Sequence, residues 1–600
     1  MAPLLLIFLS VLTVLFHRQW RRLQNNISEA KATGLPYVVV PFFFATVKWV
    51  LVRPLMLPLF KLLPDPWAER WPMLLEFTRG WHNGYKPFEL EGCDTFVAVS
   101  PDRNVVYTCD PDVSAHFLRG PSFGKPQELL GILNIFGPTM TGTDGAEARL
   151  YRKTTAPFFT ERTMKQVWTE STKGAKVLLN VFADSHPDRT AFSTSQMRAV
   201  ISRLTLHILN SVCFEKRIDD EALRKLLKGE ERAPEGHVLT YSQAMHGVLD
   251  YFDVIFFTPR AILNHSPLKV HRKARQAFYE LRKYIEDLRS IKEKEMQPRK
   301  EVKKDSESLL DLLVLAGMSS PTPTLCPKAV IGNIFIFMFA GHEANANTLT
   351  FLLLLLACNP GIQKATQEDI DRILFRLRNE GRTDSSLSSL YEQAFPALIE
   401  GYVGACINEA LRLFTVIPFL VKTVPQSQDA AKGEDEGHTF SVAGNMCRIP
   451  GGSMVLINTT AVHRHPQYWP DCGTTSRNNI ASGKTNPVDS FDPQRWLVTE
   501  TSASTKDKVP EGARFLRPKA GSFMPFSDGG RGCLGKRFAL VELCAIVTQI
   551  LSEYTIELVV KGDQDWQKTR ENAARTLTEE VAMDMSLRLT APVPVRFVKR

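Results

Sequence analysis

None of the ten cysteines forms a CxxC pair, and their positions (93, 109, 213, 326, 358, 406, 447, 472, 533 and 544) follow no regular spacing. That argues against a disulfide framework and a zinc module, and fits a reducing compartment. An internal repeat is also missing. Basic stretches interleaved with aromatics are absent, so no nucleic-acid partner is expected. Charge of one sign is scarce: a net +9 spread over 600 residues is a mild bias toward an anionic membrane surface or an acidic partner protein. With 44% hydrophobic and 23% charged residues, the chain has the usage of a folded, enzyme-sized body rather than a disordered or multi-span membrane protein.

Long hydrophobic runs are equally scarce at the N-terminus. The run Pro3 to Phe16 has 14 residues, short of the roughly 20 that span a bilayer unaided. A secretory signal would carry its positive charge before such a run. Here Arg18, Arg21 and Arg22 follow it, which predicts an uncleaved membrane anchor over 1–22 with its basic stop on the cytosolic side. A second apolar stretch, Tyr37 to Val52, contains Pro41 and Lys48 and leads into Pro54 and Pro58. A span, an interfacial segment and a buried helix all stay open for it, within a membrane-associated linker over 23–83.

The remainder, 84–600, is expected to be one catalytic domain, mainly α with small β-sheets. Glu89 to Thr108 alternates and is rich in Val, Phe and Tyr, which predicts a hairpin. Helical periodicity follows over Thr163 to Asp184, Gln196 to Phe214, Val270 to Glu295 and Ser306 to Met318. Phe440 to Arg464 suggests a strand, a Pro-Gly turn, a second strand and a helix start, and the C-terminal segment from Met583 suggests a closing strand pair. Polar insertions at 382–389, 426–438, 472–490 and 499–512 are expected to be surface loops.

Four glycines crowd one cysteine in "FSDGGRGCLG", Phe526 to Gly535. Glycine lets a backbone turn with positive φ and approach something bulky, so the cluster suggests a loop wrapped around a ligand. Zinc would need companion ligands at short spacing, and a nucleophilic cysteine would want a nearby base, yet the nearest upstream histidine is His465. A lone thiolate also serves as an axial ligand to haem iron. Such a thiolate needs N–H donors to spread its charge, and an apolar, helix-like segment begins just after Cys533.

The pattern F-x-x-G-x-R-x-C-x-G, filled by Phe526, Gly529, Arg531, Cys533 and Gly535, resembles the haem-binding loop of the cytochrome P450 monooxygenases. Five fixed positions coincide by chance on the order of once in 10⁴ chains of this length. Further motifs follow in the family's order. "NEALRLF" places Glu409 and Arg412 on one helical face, and Arg495 of "FDPQRW" resembles the third member of a buried ion network. The apolar segment around Ala340 to Glu343 resembles the family's oxygen-binding helix. Two departures stand out. Ala344 occupies the place of the family's usual threonine, and Ala148 that of a tryptophan preceding Arg152.

The resemblance implies haem b held by the Cys533 thiolate as the metal ligand. Phe526, Gly529, Arg531 and Gly535 would form the cradle, with Arg152 on a propionate, where Arg149 and Lys153 compete. Lys422 falls where another propionate-binding arginine often stands, and His463 is expected to make a structural hydrogen bond. The implied catalytic residues are Gly341, Glu343 and Asn345. The implied partners are NADPH-cytochrome P450 reductase, a lipophilic small molecule and the endoplasmic reticulum membrane, with the catalytic domain facing the cytosol. The motif style is similar to that of filamentous-fungal members of secondary metabolism. A haem-thiolate isomerase or dehydratase would share the haem motifs, as would a non-catalytic haem-binding protein.

Overall fold

Alternating β-branched and aromatic residues do pair near the N-terminus, over a shorter range than expected. In this computed structural model, strand Thr95–Val99 pairs antiparallel with Asn104–Thr108, whereas Lys86–Glu91 is a helix that stops at left-handed Gly92. The structure describes residues 2–184, 190–296, 308–318, 324–379, 386–426, 437–469, 487–498, 514–560, 562, 565–583 and 585–600. The four polar insertions lie mostly outside them. Contacts divide the chain into two units: Met1–Leu129, Ile417–Pro470 and Pro518–Cys533 form one, and Leu130–Val416, Asp471–Arg517 and Leu534–Arg600 the other.

The first unit is built on a five-stranded sheet in the order Tyr37–Val39, Thr95–Val99, Asn104–Thr108, Met454–Asn458, Phe419–Thr423. Every residue of Thr95–Val99 and Met454–Asn458 is buried, the signature of strands covered on both faces. Phe96 stacks on Tyr107 beside them, and Phe88 packs at a tilt against Phe96. The segment from His438 contains one strand more than expected. His438–Val442 and Asn445–Ile449 form a hairpin turned by Ala443 and Gly444, both at positive φ, before Met454–Asn458 and the short helix Thr459–His463.

The second unit is helical. Glu161–Ala183, Met197–Cys213, Lys269–Met296 and Leu309–Met318 match the expected helices closely, while Ser306 lies outside the described residues. Thr160 caps the first of them by accepting from the Thr163 N–H. At the centre runs Pro327–Cys358, 32 residues that are apolar nearly all round and therefore buried. Proline opens this helix, where a missing N–H costs nothing, and Arg570 Nε donates to the Cys358 carbonyl at its end. The expected C-terminal strand pair does not form as such. Leu587–Leu589 pairs with Val581–Met583, and Val595–Lys599 lies between Tyr554–Leu558 and Ala191–Thr194.

No single helix among the described residues is long and apolar enough to cross a membrane. The segment expected to be an anchor is the first part of a 31-residue helix, Ala2–Ala32, that continues through Arg18, Arg21 and Arg22 into polar sequence. Tyr37 to Val52 is not one element either. It divides into strand Tyr37–Val39 and the start of helix Val47–Phe60, which holds Pro54 and Pro58 internally. The central helix and Pro360–Asn379 pass a membrane-span test only as a pair bent by 109°, and burial within the unit accounts for the central helix's apolarity.

Candidate active site

The cysteine loop belongs to the first unit and is fixed by its own backbone. Gly529 takes φ +66°, and a Cβ there would lie 2.2 Å from the Leu118 carbonyl oxygen, so glycine alone lets the loop rest on the end of helix Pro111–Arg119. Ser527 adopts positive φ without being glycine, local strain that the surrounding bonds must hold. Asp528 accepts from the Gly529 N–H and pairs with Arg119 at 2.7 Å. The Cys533 N–H donates to the Phe526 carbonyl oxygen at 2.9 Å, closing the loop, and His463 Nε2 accepts the Met524 N–H at 2.8 Å just ahead of it. Cys533 is left exposed, whereas six other cysteines are buried. Two residues on, Gly535 caps helix Lys536–Glu553, whose first N–H groups form the positive end of its dipole.

In the second unit, Glu409 and Arg412 of helix Tyr402–Leu413 make a two-pronged ion pair, with both bonds at 2.8 Å and both side chains fully buried. Arg495 Nε joins at 3.2 Å, Trp496 Nε1 donates to the same carboxylate at 3.0 Å and the Asp492 N–H does so at 3.1 Å. Arg412 turns its remaining donors to the Val488 and Ser490 carbonyls. Burial alone would push the Glu409 carboxyl up, but Arg412, Arg495 and the Asp492 N–H together hold it below the ordinary value.

The middle of the central helix opens along one face. Ala340 is exposed and Phe337, Gly341 and Ala344 are partly so, while His342, Glu343, Asn345 and Ala346 are buried. Residues at spacings of three and four share a helix face, so these four make one stripe of small and apolar side chains. The nearest hydroxyl on that face, Thr348 Oγ1, donates to the Ala344 carbonyl at 2.9 Å. Gly341 has a packing reason of its own, since a Cβ there would lie 2.9 Å from a Leu209 methyl. Glu343 lines a small recess with Arg198, Asp250, Met585 and Arg588, and Asn345 donates to Glu542 of helix Lys536–Glu553.

One other cluster of metal-ligating types occurs among the described residues: Asp94, Cys109 and His465. His465 Nδ1 accepts the Gln467 N–H, so Nε2 carries the ring proton and donates it to Asp94 at 3.0 Å. A metal would need that nitrogen bare and the other protonated. Tyr85 donates to the same carboxylate at 2.8 Å, which completes a hydrogen-bonded network rather than a cation site. The residues present fit haem instead. In the first unit, the exposed Cys533 thiol on its glycine-lined loop has the donor chemistry that a haem iron takes.

A sequence profile of the family described as Cytochrome P450 matches residues 94–582. The chain is a cytochrome P450. It is 26% identical to a cytochrome P450 monooxygenase of Arthrobotrys oligospora, over 96% of this chain and 95% of that protein. It is also 26% identical to the phomenoic acid biosynthesis cluster cytochrome P450 monooxygenase of Leptosphaeria maculans, over 92% of each. Among solved structures, the haem domain of cytochrome P450DA shares the fold with a TM-score of 0.60, covering 94% of this chain and 98% of that one at 18% identity. These relatives make the P450 a haem-dependent monooxygenase and oxidoreductase.

Of the other sites singled out in this P450, Arg152 is half-buried on helix Gly145–Thr155 while its competitors Arg149 and Lys153 are exposed. Lys422 is buried and donates to the Phe123 carbonyl at 3.2 Å, a structural bond within the first unit. Sequence reasoning missed Trp496, Asp492 and Ser490 as partners of the ion network, although the first two stand inside "FDPQRW". It also missed Glu542, whose only signal is a single acid within "FALVELCAIV".

Proposed function

We propose that this P450 inserts one atom of O2 into a lipophilic small molecule of fungal secondary metabolism, with electrons from NADPH delivered by a cytochrome P450 reductase. The open stripe on the central helix carries the substrate class: Phe337, Ala340, Gly341 and Ala344 present hydrocarbon and backbone and no charge. The biosynthesis-cluster relative, matched over 92% of this chain, supports the metabolic setting.

Haem b, when bound through the Cys533 thiolate, supplies the oxygen chemistry. The chain's own residues do the rest. Phe526, Gly529 and Gly535 would shape its cradle, and Arg531 and Arg152 would hold its propionates. Gly341 keeps the open stripe clear of side chain. Glu343 moves protons from the recess it shares with Arg198 and Arg588. Asn345 holds an ordered water beside Ala344, where the family's hydroxyl is missing.

Membrane attachment rests on exposed apolar residues in the first unit. Val14, Leu15, Phe16 and Trp20 are exposed on helix Ala2–Ala32, and Val47, Val50, Leu51, Leu55 and Leu59 form an exposed row on helix Val47–Phe60. With Arg18, Arg21 and Arg22 on the cytosolic side, the proposed location is the endoplasmic reticulum membrane with the catalytic body in the cytosol.

The test is a carbon monoxide difference spectrum of the reduced protein and of C533A, followed by the stoichiometry of turnover with NADPH, reductase and O2. One NADPH and one O2 consumed per hydroxylated product is the expected result. An unaltered Soret band in C533A would overturn the ligand assignment. Ala344 favours a second reading, a haem-thiolate isomerase or dehydratase, and product formed without NADPH would select it.

A further inference from the structure

Glu542 is an acid in the wrong surroundings for an ordinary carboxylate. It is 1% exposed in helix Lys536–Glu553, between Val541 and Leu543 and two residues before Cys544 and Ala545 are reached in the same buried run. Its Oε2 accepts one bond, from Asn345 Nδ2, and its Oε1 is buried with no hydrogen-bond partner. No cation among the described residues pairs with it. The contrast is Glu409, equally buried but supplied with two guanidiniums, an indole N–H and a backbone N–H. An ionised carboxylate in a low-dielectric interior needs such donors, whereas a neutral acid has no charge to offset and is buried at far lower cost. Burial pushes the Glu542 carboxyl up to about 8, and the Asn345 bond offsets only part of that.

The partner matters as much as the acid. Asn345 sits directly after Ala344, flanks the open stripe and keeps 6% of its surface accessible. With one amide N–H committed to Glu542, its Oδ1 and second N–H remain to hold a small polar molecule. We propose that Glu542 is a positioning residue. As an uncharged acid it fixes the Asn345 amide, so that the amide, in place of the missing hydroxyl, orders the water beside Ala344. Glu542 acts through Asn345 and touches no reacting atom. The inference rests on the monooxygenase reading of Asn345 given above.

Two measurements on the haem-loaded, full-length protein test it. Infrared difference spectra of the CO-bound wild type minus E542Q at neutral pH should show a protonated-carboxyl carbonyl band, and a carboxylate band in its place would overturn the proposal. The second measurement is hydrogen peroxide released per NADPH oxidised, with reductase and O2. N345A and E542L should each raise the leak about 2- to 10-fold, the size of one lost hydrogen bond, and the double variant should leak no more than the worse single one. E542Q keeps a carbonyl acceptor for the amide and should restore coupling relative to E542L. Unchanged leakage in both E542L and N345A, with intact CO spectra, would overturn the positioning role. A wild type that oxidises no NADPH would instead sink the monooxygenase reading, while the infrared arm still judges the protonation of Glu542.

Discussion

At the scale of single residues, two buried glutamates of this P450 follow opposite rules. Glu409 is ionised because Arg412 and Arg495 face it in a dry environment, and removing the carboxylate would strand both guanidiniums. Glu409→Ala is therefore expected to cost ~3–5 kcal/mol in chemical denaturation and to lower the fraction that shows a thiolate-haem CO spectrum. Glu542 has a folded value raised from 4.5 to about 8, so between those limits the folded state holds a proton that the unfolded state has released. Its favourable contribution is complete below the unfolded value and is lost as pH rises toward the folded one. Wild type should thus lose stability relative to E542Q by up to about 1.4 kcal/mol per pH unit across that window, and stop losing it above. Denaturant midpoints measured for both proteins from mildly acidic to mildly alkaline pH check the sign; a difference that stays flat would contradict it.

At the scale of elements, helix Val47–Phe60 divides its apolar residues between two destinations. Trp49 and Phe60 are buried, with Trp49 Nε1 bonded to the Leu75 carbonyl, while Val47, Leu51 and Leu55 recur every four residues on the outside. Inner contacts hold the helix, so the outer row is free to meet a lipid surface. Replacing Leu51 and Leu55 together by glutamate is expected to reduce co-sedimentation with anionic vesicles while leaving the CO spectrum unchanged. Equal sedimentation of variant and wild type would remove this helix from the membrane reading. The two prolines inside the helix and the strand ahead of it were visible as residues, but not as elements. Composition cannot tell where the chain bends, and a run interrupted by Pro41 and Lys48 fits a span, a surface segment or a core helix equally well.

At the scale of the whole molecule, what was legible depended on how local the cause was. The cysteine loop was readable because clustered glycines imply a tight turn around a ligand, whereas Glu409, Arg412 and Arg495 were readable together only through the family resemblance and its order of motifs. The central helix was readable because an all-round apolar pattern has few destinations. Glu542 was not, since its partner Asn345 lies 197 positions away and a lone acid in a helix resembles a surface charge. The hairpin of His438–Ile449 escaped because Ala443, not glycine or asparagine, holds its first left-handed position. Val595–Lys599 is the strand expected, but its pairing was not readable, because its partners Tyr554–Leu558 and Ala191–Thr194 are both remote from it in the sequence.

The ion pair between Arg119 and Asp528 bridges 409 positions of the chain. At ~5–20 residues per second, a ribosome needs about 20 to 80 s to travel from one to the other. Throughout that interval helix Pro111–Arg119 exists without the loop that rests on it. If Cys533 is the ligand proposed above, porphyrin capture is a late event of biosynthesis, and nascent chains halted before the loop emerges are expected to carry no pigment.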